Sequence, residues 1–236
     1  MLFGEFDRAI AEARRAVELD PLSLIINADL AEGYFYQRRY DEAIEQFRRT
    51  LEIVAQVNQD AVVPNEFSVL HSIELNLNPR GEGDLEPGCL AKLDLVLASF
   101  HFPLRLKDDQ TGRYLAALRN PVVHILGHPR GRIYNYRAGL SADWSRVFAE
   151  ASSLDKAVEI DCFPDRQDLN VELLKLARAA GTRVSLGTDA HHPWQLAFIE
   201  FGLAAAWQAK LPPERVVNFM TMAEIRRWIS GLRRQP

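Results

Sequence analysis

The sequence predicts an α/β protein: an N-terminal α-helical segment followed by a partial barrel of βα units. Three observations carry that reading. After residue 68, five short apolar runs of β-branched and aliphatic residues alternate with amphipathic stretches of helical length, the grammar of a parallel sheet with helical crossovers. Residues 1–54 instead show a helical period, and they repeat. Finally, each apolar run ends in acids or histidines that a core strand does not normally carry.

Composition narrows the function classes. The 236 residues are 47% hydrophobic and 25% charged, an ordinary globular balance. A net charge of −4 excludes a broadly basic nucleic-acid-binding surface while leaving room for a local basic groove. The two cysteines, Cys89 and Cys162, lack C-x-x-C spacing, which argues against a disulfide framework or a zinc knuckle. Both read as small packed side chains. The N-terminus has no signal-peptide pattern and no run of about 18 apolar residues occurs, so the expected setting is reducing and cytoplasmic, without a membrane span.

In the first segment, Phe6-Asp7-Arg8-Ala9-Ile10 returns as Tyr40-Asp41-Glu42-Ala43-Ile44 at an offset of 34 residues. A period of that length with alanine at fixed places marks helix–turn–helix repeats. Asp20-Pro21 breaks the chain between units. The segment resembles the tetratricopeptide repeat (TPR): Ala31, Tyr34, Tyr40, Ala43, Phe47 and Leu51 fall where that family places small and aromatic residues. Its first unit lacks a first helix. Tyr34, Tyr36 and Tyr40 read as inter-helix packing, and the resemblance implies a protein partner for this segment.

Residues 55–67, with Pro64, read as a junction. The apolar runs that follow are Val69–Leu77, Leu93–Ser99, Val122–Gly127, Ala157–Cys162 and Arg183–Thr188. The patterns between them predict helices over 109–119, 142–154, 168–180 and 193–208. A last helix is expected over 222–232, where Thr221 and Glu224 stand as a capping box.

The chemistry lies at the ends of these runs. Glu74, His101, His128, Glu159 and Asp189 recur every 27–31 residues, one per βα unit, and His191 follows Asp189. In a β/α barrel the carboxyl ends of the strands share one face, so these groups converge there. Imidazole and carboxylate together suit Zn, Mn or Fe. Arg130 and Arg132, beside His128, can hold a phosphate. One of Glu159 and Asp161 is a candidate to line the site, whereas His71 and His124 lie within strands and read as structural.

Residues 68 to about 232 resemble the PHP (polymerase and histidinol phosphatase) domain, in the version found at the C-terminus of bacterial family X DNA polymerases. The matching motifs are Ser72-Ile73-Glu74, Ser99-Phe100-His101, Ile125-Leu126-Gly127-His128-Pro129 with Gly131-Arg132, Glu159-Ile160-Asp161, and Gly187-Thr188-Asp189-Ala190-His191. Five short motifs in order over some 160 residues are specific. The resemblance implies a distorted (βα)7 barrel binding up to three Mn or Zn ions and hydrolysing phosphate esters. By it, Glu74 bridges two metals, His101 and Asp189 each bind one of that pair, and His128 and His191 share a third. It implies catalytic roles for Glu74, Asp189 and Arg132, and contact of Arg130 and Arg132 with substrate. The substrates implied are nucleic-acid 3′ ends or a small phosphomonoester such as histidinol phosphate.

The chain departs from the family at its start. The H-x-H motif, the next histidine and the Asp-His motif have no counterpart, and His71 is the single histidine before Glu74. The helical segment stands where about two βα units are expected. The resemblance therefore implies a barrel without its first units, with fewer metals and two exposed strand edges. The competing reading is a TPR-type interaction scaffold on an inactive PHP remnant.

Overall fold

The computed structural model describes residues 5–60 and 68–233. Of the expected junction, residues 61–67 lie outside the described ones. The chain divides into two compact units between residues 70 and 71.

The first unit contains helices α1 (Phe6–Leu19), α2 (Leu24–Tyr36) and α3 (Tyr40–Asp60). The first and third begin at the two positions related by the 34-residue offset. Helix α3 runs past the expected end at 54 because no glycine or proline interrupts residues 40–60. Ile10, Leu30, Tyr34 and Ala43 form the core of this unit. Asn27 is buried with its amide satisfied: Nδ2 donates to the carbonyls of Pro21 and Ser23, and Oδ1 accepts from Gln46. Of the three tyrosines expected to pack between helices, only Tyr34 does. Tyr36 and Tyr40 are exposed and stack around Phe35.

The second unit is built on five parallel strands in sequential order: β1 (Ser72–Asn76), β2 (Leu95–Ser99), β3 (Ile125–Leu126), β4 (Ala157–Asp161) and β5 (Arg183–Gly187). The five predicted runs contain these strands. Helices α5 (Thr111–Arg119), α6 (Trp144–Ser153), α7 (Val171–Ala179) and α8 (Ile199–Gln208) form the crossovers and the helix after β5. A 3-10 turn over Pro193–Phe198 replaces the start of the predicted last crossover helix. One unpredicted helical turn, α4 (Pro87–Leu90), lies between β1 and β2.

Alternation along the strands sorts the core into two faces. Val96, Ala98, Leu126, Val158 and Ile160 pack with Leu118, Phe148 and Leu174 of the crossover helices. The alternate residues Leu95, Leu97, Ile125 and Ala157 meet Trp228, Ile229 and Leu232 of α9 (Met222–Leu232). Every residue of β4 is buried, the expected state of a central parallel strand. Helix α9 begins with the predicted box: Thr221 Oγ1 accepts the Glu224 amide, and Glu224 Oε2 accepts the Thr221 amide.

The expected exposure of both sheet edges needs correction at β5. Val216 bridges Val184 there, and the Asn218 side chain both donates to and accepts from the Leu186 backbone, at 3.0 and 2.7 Å. A side-chain amide thus substitutes for a neighbouring strand. Cys162 is buried as expected, but Cys89 is exposed on α4.

His124 is structural. Its ring lies between strands and Nδ1 accepts the Val96 amide at 2.9 Å. Burial lowers its pKa to about 4. The unfolded chain then binds more protons between about 6.5 and 4. Stability is therefore expected to fall as pH drops through that window, by up to about 3 kcal/mol at about 1.4 kcal/mol per pH unit. Urea titrations across pH 4–7 check this, with the slope flattened in His124→Asn; an unchanged slope in that variant would refute it.

Candidate metal centre and its cavity

The parallel order brings the carboxyl ends of β1 to β5 to one rim. Glu74 lies on β1 in register with Leu97 of β2. His101 follows β2 by two residues and His128 follows β3 by two. Glu74 Oε1 lies 3.1 Å from His101 Nε2 and 2.6 Å from His128 Nε2, and the two rings meet edge to face with centroids 5.2 Å apart. One donor atom from each residue lies within 4.8 Å of the others. Both imidazoles thus present the same nitrogen to one carboxylate oxygen. Two donors on a tetrahedral ion, each at about 2.0–2.1 Å from it, are about 3.3 Å apart. Two histidines and a glutamate with open positions match a catalytic zinc-type donor set.

Charge is concentrated here. Hydrogen bonds from His101 and His128 hold the Glu74 carboxyl well below the usual carboxylate range. Burial alone would lower the His128 pKa, but the carboxylates of Glu74, Glu159 and Asp161 together raise it. Behind them Glu159 is buried. Its Oε2 accepts the His128 amide at 2.6 Å, which orients the ligand loop. Burial raises Glu159 to about 7. Its neighbour in space is Gly187, where any Cβ would collide with Glu159 Oε1.

Asp161 lies two residues further along β4, on the same face as Glu159. Its Oδ1 accepts the Phe163 amide and its buried Oδ2 has no hydrogen-bond partner among the described residues. Burial raises its pKa. Asp168 is fully buried and accepts the Arg130 amide at 2.6 Å, anchoring the loop after His128. Burial raises Asp168 to about 6.

Asp189 and His191 stand after β5. Asp189 Oδ2 accepts a hydrogen bond from Arg166 Nη1. His191 Nδ1 lies 2.8 Å from the Asp189 carbonyl, so a proton on Nδ1 is bonded there and Nε2 is left free. His192, the rim residue of this turn, caps the 3-10 helix.

A cavity of about 300 Å³ opens over these groups. Glu74, His101, His128, Asp189 and His191 line it together with Arg132, Arg137 and Arg166. Thus the predicted ligands line one cavity, and within it His128 stands beside Glu74 and His101. Arg132 lines the cavity. Arg130 does not; its guanidinium donates to Ala138 and Leu140 carbonyls and borders a separate hollow. Arg137 and Arg166 add to the predicted set. Their signal was weak: both are arginines in loops that follow strand ends.

No protein-family model matches the chain. Curated relatives do. The DNA polymerase/3′-5′ exonuclease PolX of Bacillus subtilis is 30% identical over 160 residues, covering 67% of this chain but 28% of the polymerase. A probable phosphatase of Syntrophotalea carbinolica is 30% identical over 218 residues, covering 80% of this chain and 88% of its own length. The probable phosphatase YcdX of Escherichia coli is 28% identical over 160 residues, 66% of this chain and 65% of YcdX. The first of these matches thus spans just over a quarter of the polymerase.

Proposed function

Since the chain belongs to the PHP family of phosphoester hydrolases, we propose that it is a metal-dependent phosphoesterase acting on a small phosphomonoester. The observation that carries this reading is the cluster of Glu74, His101 and His128 facing three arginines across one cavity of about 300 Å³.

Glu74, His101 and His128 would hold a divalent ion, Mn or Zn. When bound, the ion supplies Lewis acidity toward a phosphoryl oxygen and toward the attacking water. Glu159 and Asp168 fix the His128–Arg132 loop from behind. Arg132 and Arg137 offer planar, permanently charged donors to the remaining phosphate oxygens. Arg132 spends one N–H on the Arg166 carbonyl at 2.5 Å and Arg137 spends Nε on the Gly131 carbonyl, which leaves further donors on each for substrate. Balancing the charge of a dianionic phosphate in this way is the main work of a phosphoryl-transfer site.

A nucleic-acid 3′ end is the second substrate reading. It is favoured by Tyr134 and Tyr136, each 63% exposed on the loop after His128, with Arg105 over the Tyr136 ring at 4.5 Å. In the helical unit, exposed Leu22, Ile25, Phe35 and Phe47 favour a protein-binding face.

The test is hydrolysis of p-nitrophenyl phosphate, bis(p-nitrophenyl) phosphate and an end-labelled single-stranded oligonucleotide, with Mn, with Zn and after chelation. Turnover of the monoester that needs metal is expected. Trimming of the oligonucleotide alone would select the second reading. Turnover of none of the three would overturn the proposal.

A further inference from the structure

The cavity has two halves, and both carry acid. One half is the Glu74–His101–His128 cluster. The other holds Asp189, with His191 at its rim and Asp161 buried within reach of the same arginine. In that second half a cation is already present. Arg166 Nη1 donates to Asp189 Oδ2 and lies 3.8 Å from Asp161 Oδ2.

We propose that Arg166 is a built-in cation filling the acidic half of the cavity, so that the chain takes one divalent ion at Glu74, His101 and His128 and none at Asp189 and Asp161. The inference rests on the metal-site reading above and narrows it.

Asp161 carries much of the argument. Its side chain is 1% exposed, and its Oδ2 has no hydrogen-bond partner among the described residues. A carboxylate oxygen held that deep needs a nearby positive charge. The Arg166 guanidinium supplies it, and the same group occupies Asp189.

Arg166 is also held in place. Its carbonyl accepts from Arg132, its amide donates to the Phe163 carbonyl at 2.9 Å, and its guanidinium lies over the Phe163 ring at 5.5 Å. A divalent ion entering this half would have to displace the guanidinium and would meet its repulsion. Without Arg166, the Asp189 carboxylate would be left with the His191 imidazole 3.9 Å away and the buried Asp161 carboxylate nearby, donor types that divalent cations take.

The experiment counts ions per chain by inductively coupled plasma mass spectrometry. The full chain is loaded with Mn or Zn and stripped of loose metal on a chelating resin. One ion is expected in the wild type and in Arg166→Lys, which keeps the charge. Two are expected in Arg166→Gln, and one again in the double variant Arg166→Gln/Asp189→Asn. Asp189→Asn alone is expected to keep one ion, which tests the assignment even if Arg166→Gln fails to fold.

Two ions in the wild type, loss of the ion in Asp189→Asn, or a folded Arg166→Gln that stays at one ion would each overturn the role of Arg166 while leaving the metal centre standing. No ion in any variant would instead bring down the metal centre itself, and the inference with it.

Discussion

Replacing Glu74 by glutamine is expected to cost at least about 100-fold in divalent-metal affinity, and to lower metal-dependent phosphoester turnover at least as much. The reason is geometric. Glu74 Oε1 is the one atom that both His101 Nε2 and His128 Nε2 approach. Glutamine keeps the shape but removes the charge, leaving two neutral imidazoles as the donor set. Losing a residue that merely orients a ligand typically costs 10–100-fold in affinity, so losing the shared anionic ligand marks the upper end of that range or beyond. Titration calorimetry with Zn or Mn, read beside p-nitrophenyl phosphate turnover, measures both effects. Glu74 is half-exposed, so the metal-free variant is expected to stay folded, with a lowered melting temperature because the carboxylate charge beside His101 and His128 is gone. Affinity and turnover within a few-fold of wild type would sink the assignment.

Phe148→Ala is expected to do the reverse, lowering stability while sparing the site. Phe148 is fully buried on α6, with Trp144 at a ring-centroid distance of 5.6 Å, in the core that packs the crossover helices on the sheet. Truncating a buried phenylalanine typically costs about 3–5 kcal/mol. For a unit of this size that corresponds to a fall of about 10 °C in melting temperature. Below that melting point, metal stoichiometry is expected to be unchanged, because no atom of Phe148 reaches the cavity lining. Calorimetric melting with and without Zn tests both parts. A shift under about 2 °C would mean that the core around α6 repacks far more freely than its burial implies.

Much of the second unit was legible because its signals are local. Five apolar runs contain the five strands, and the Thr221–Glu224 box marks the start of α9, since both depend on residues close in sequence. The polar residues ending each run were legible for the same reason. A strand end is where an apolar pattern stops, and parallel strands stop on one side of the sheet.

Other features were not legible, each for a physical cause. Tyr36 and Tyr40 fit an inter-helix pattern by spacing, yet a pattern does not say which face finds a partner. Asn218 gave no strand signal, because it covers the β5 edge through a side chain rather than a backbone run. Arg166 lies 23 residues before Asp189, on the loop after β4, and nothing in its local sequence indicates that pairing.

The local pattern of residues carries the kind of protein this is: alternating strands and helices, with Glu74, His101, His128, Asp189 and His191 at the rim. The grouping at that rim comes from contacts between elements far apart in the chain. Periodicity places a residue at the end of a strand. The direction in which its side chain then points depends on sheet twist and on loops anchored by buried groups such as Glu159 and Asp168. Those contacts put His128 beside Glu74 and His101, turned Arg130 away, and set Arg166 against Asp189.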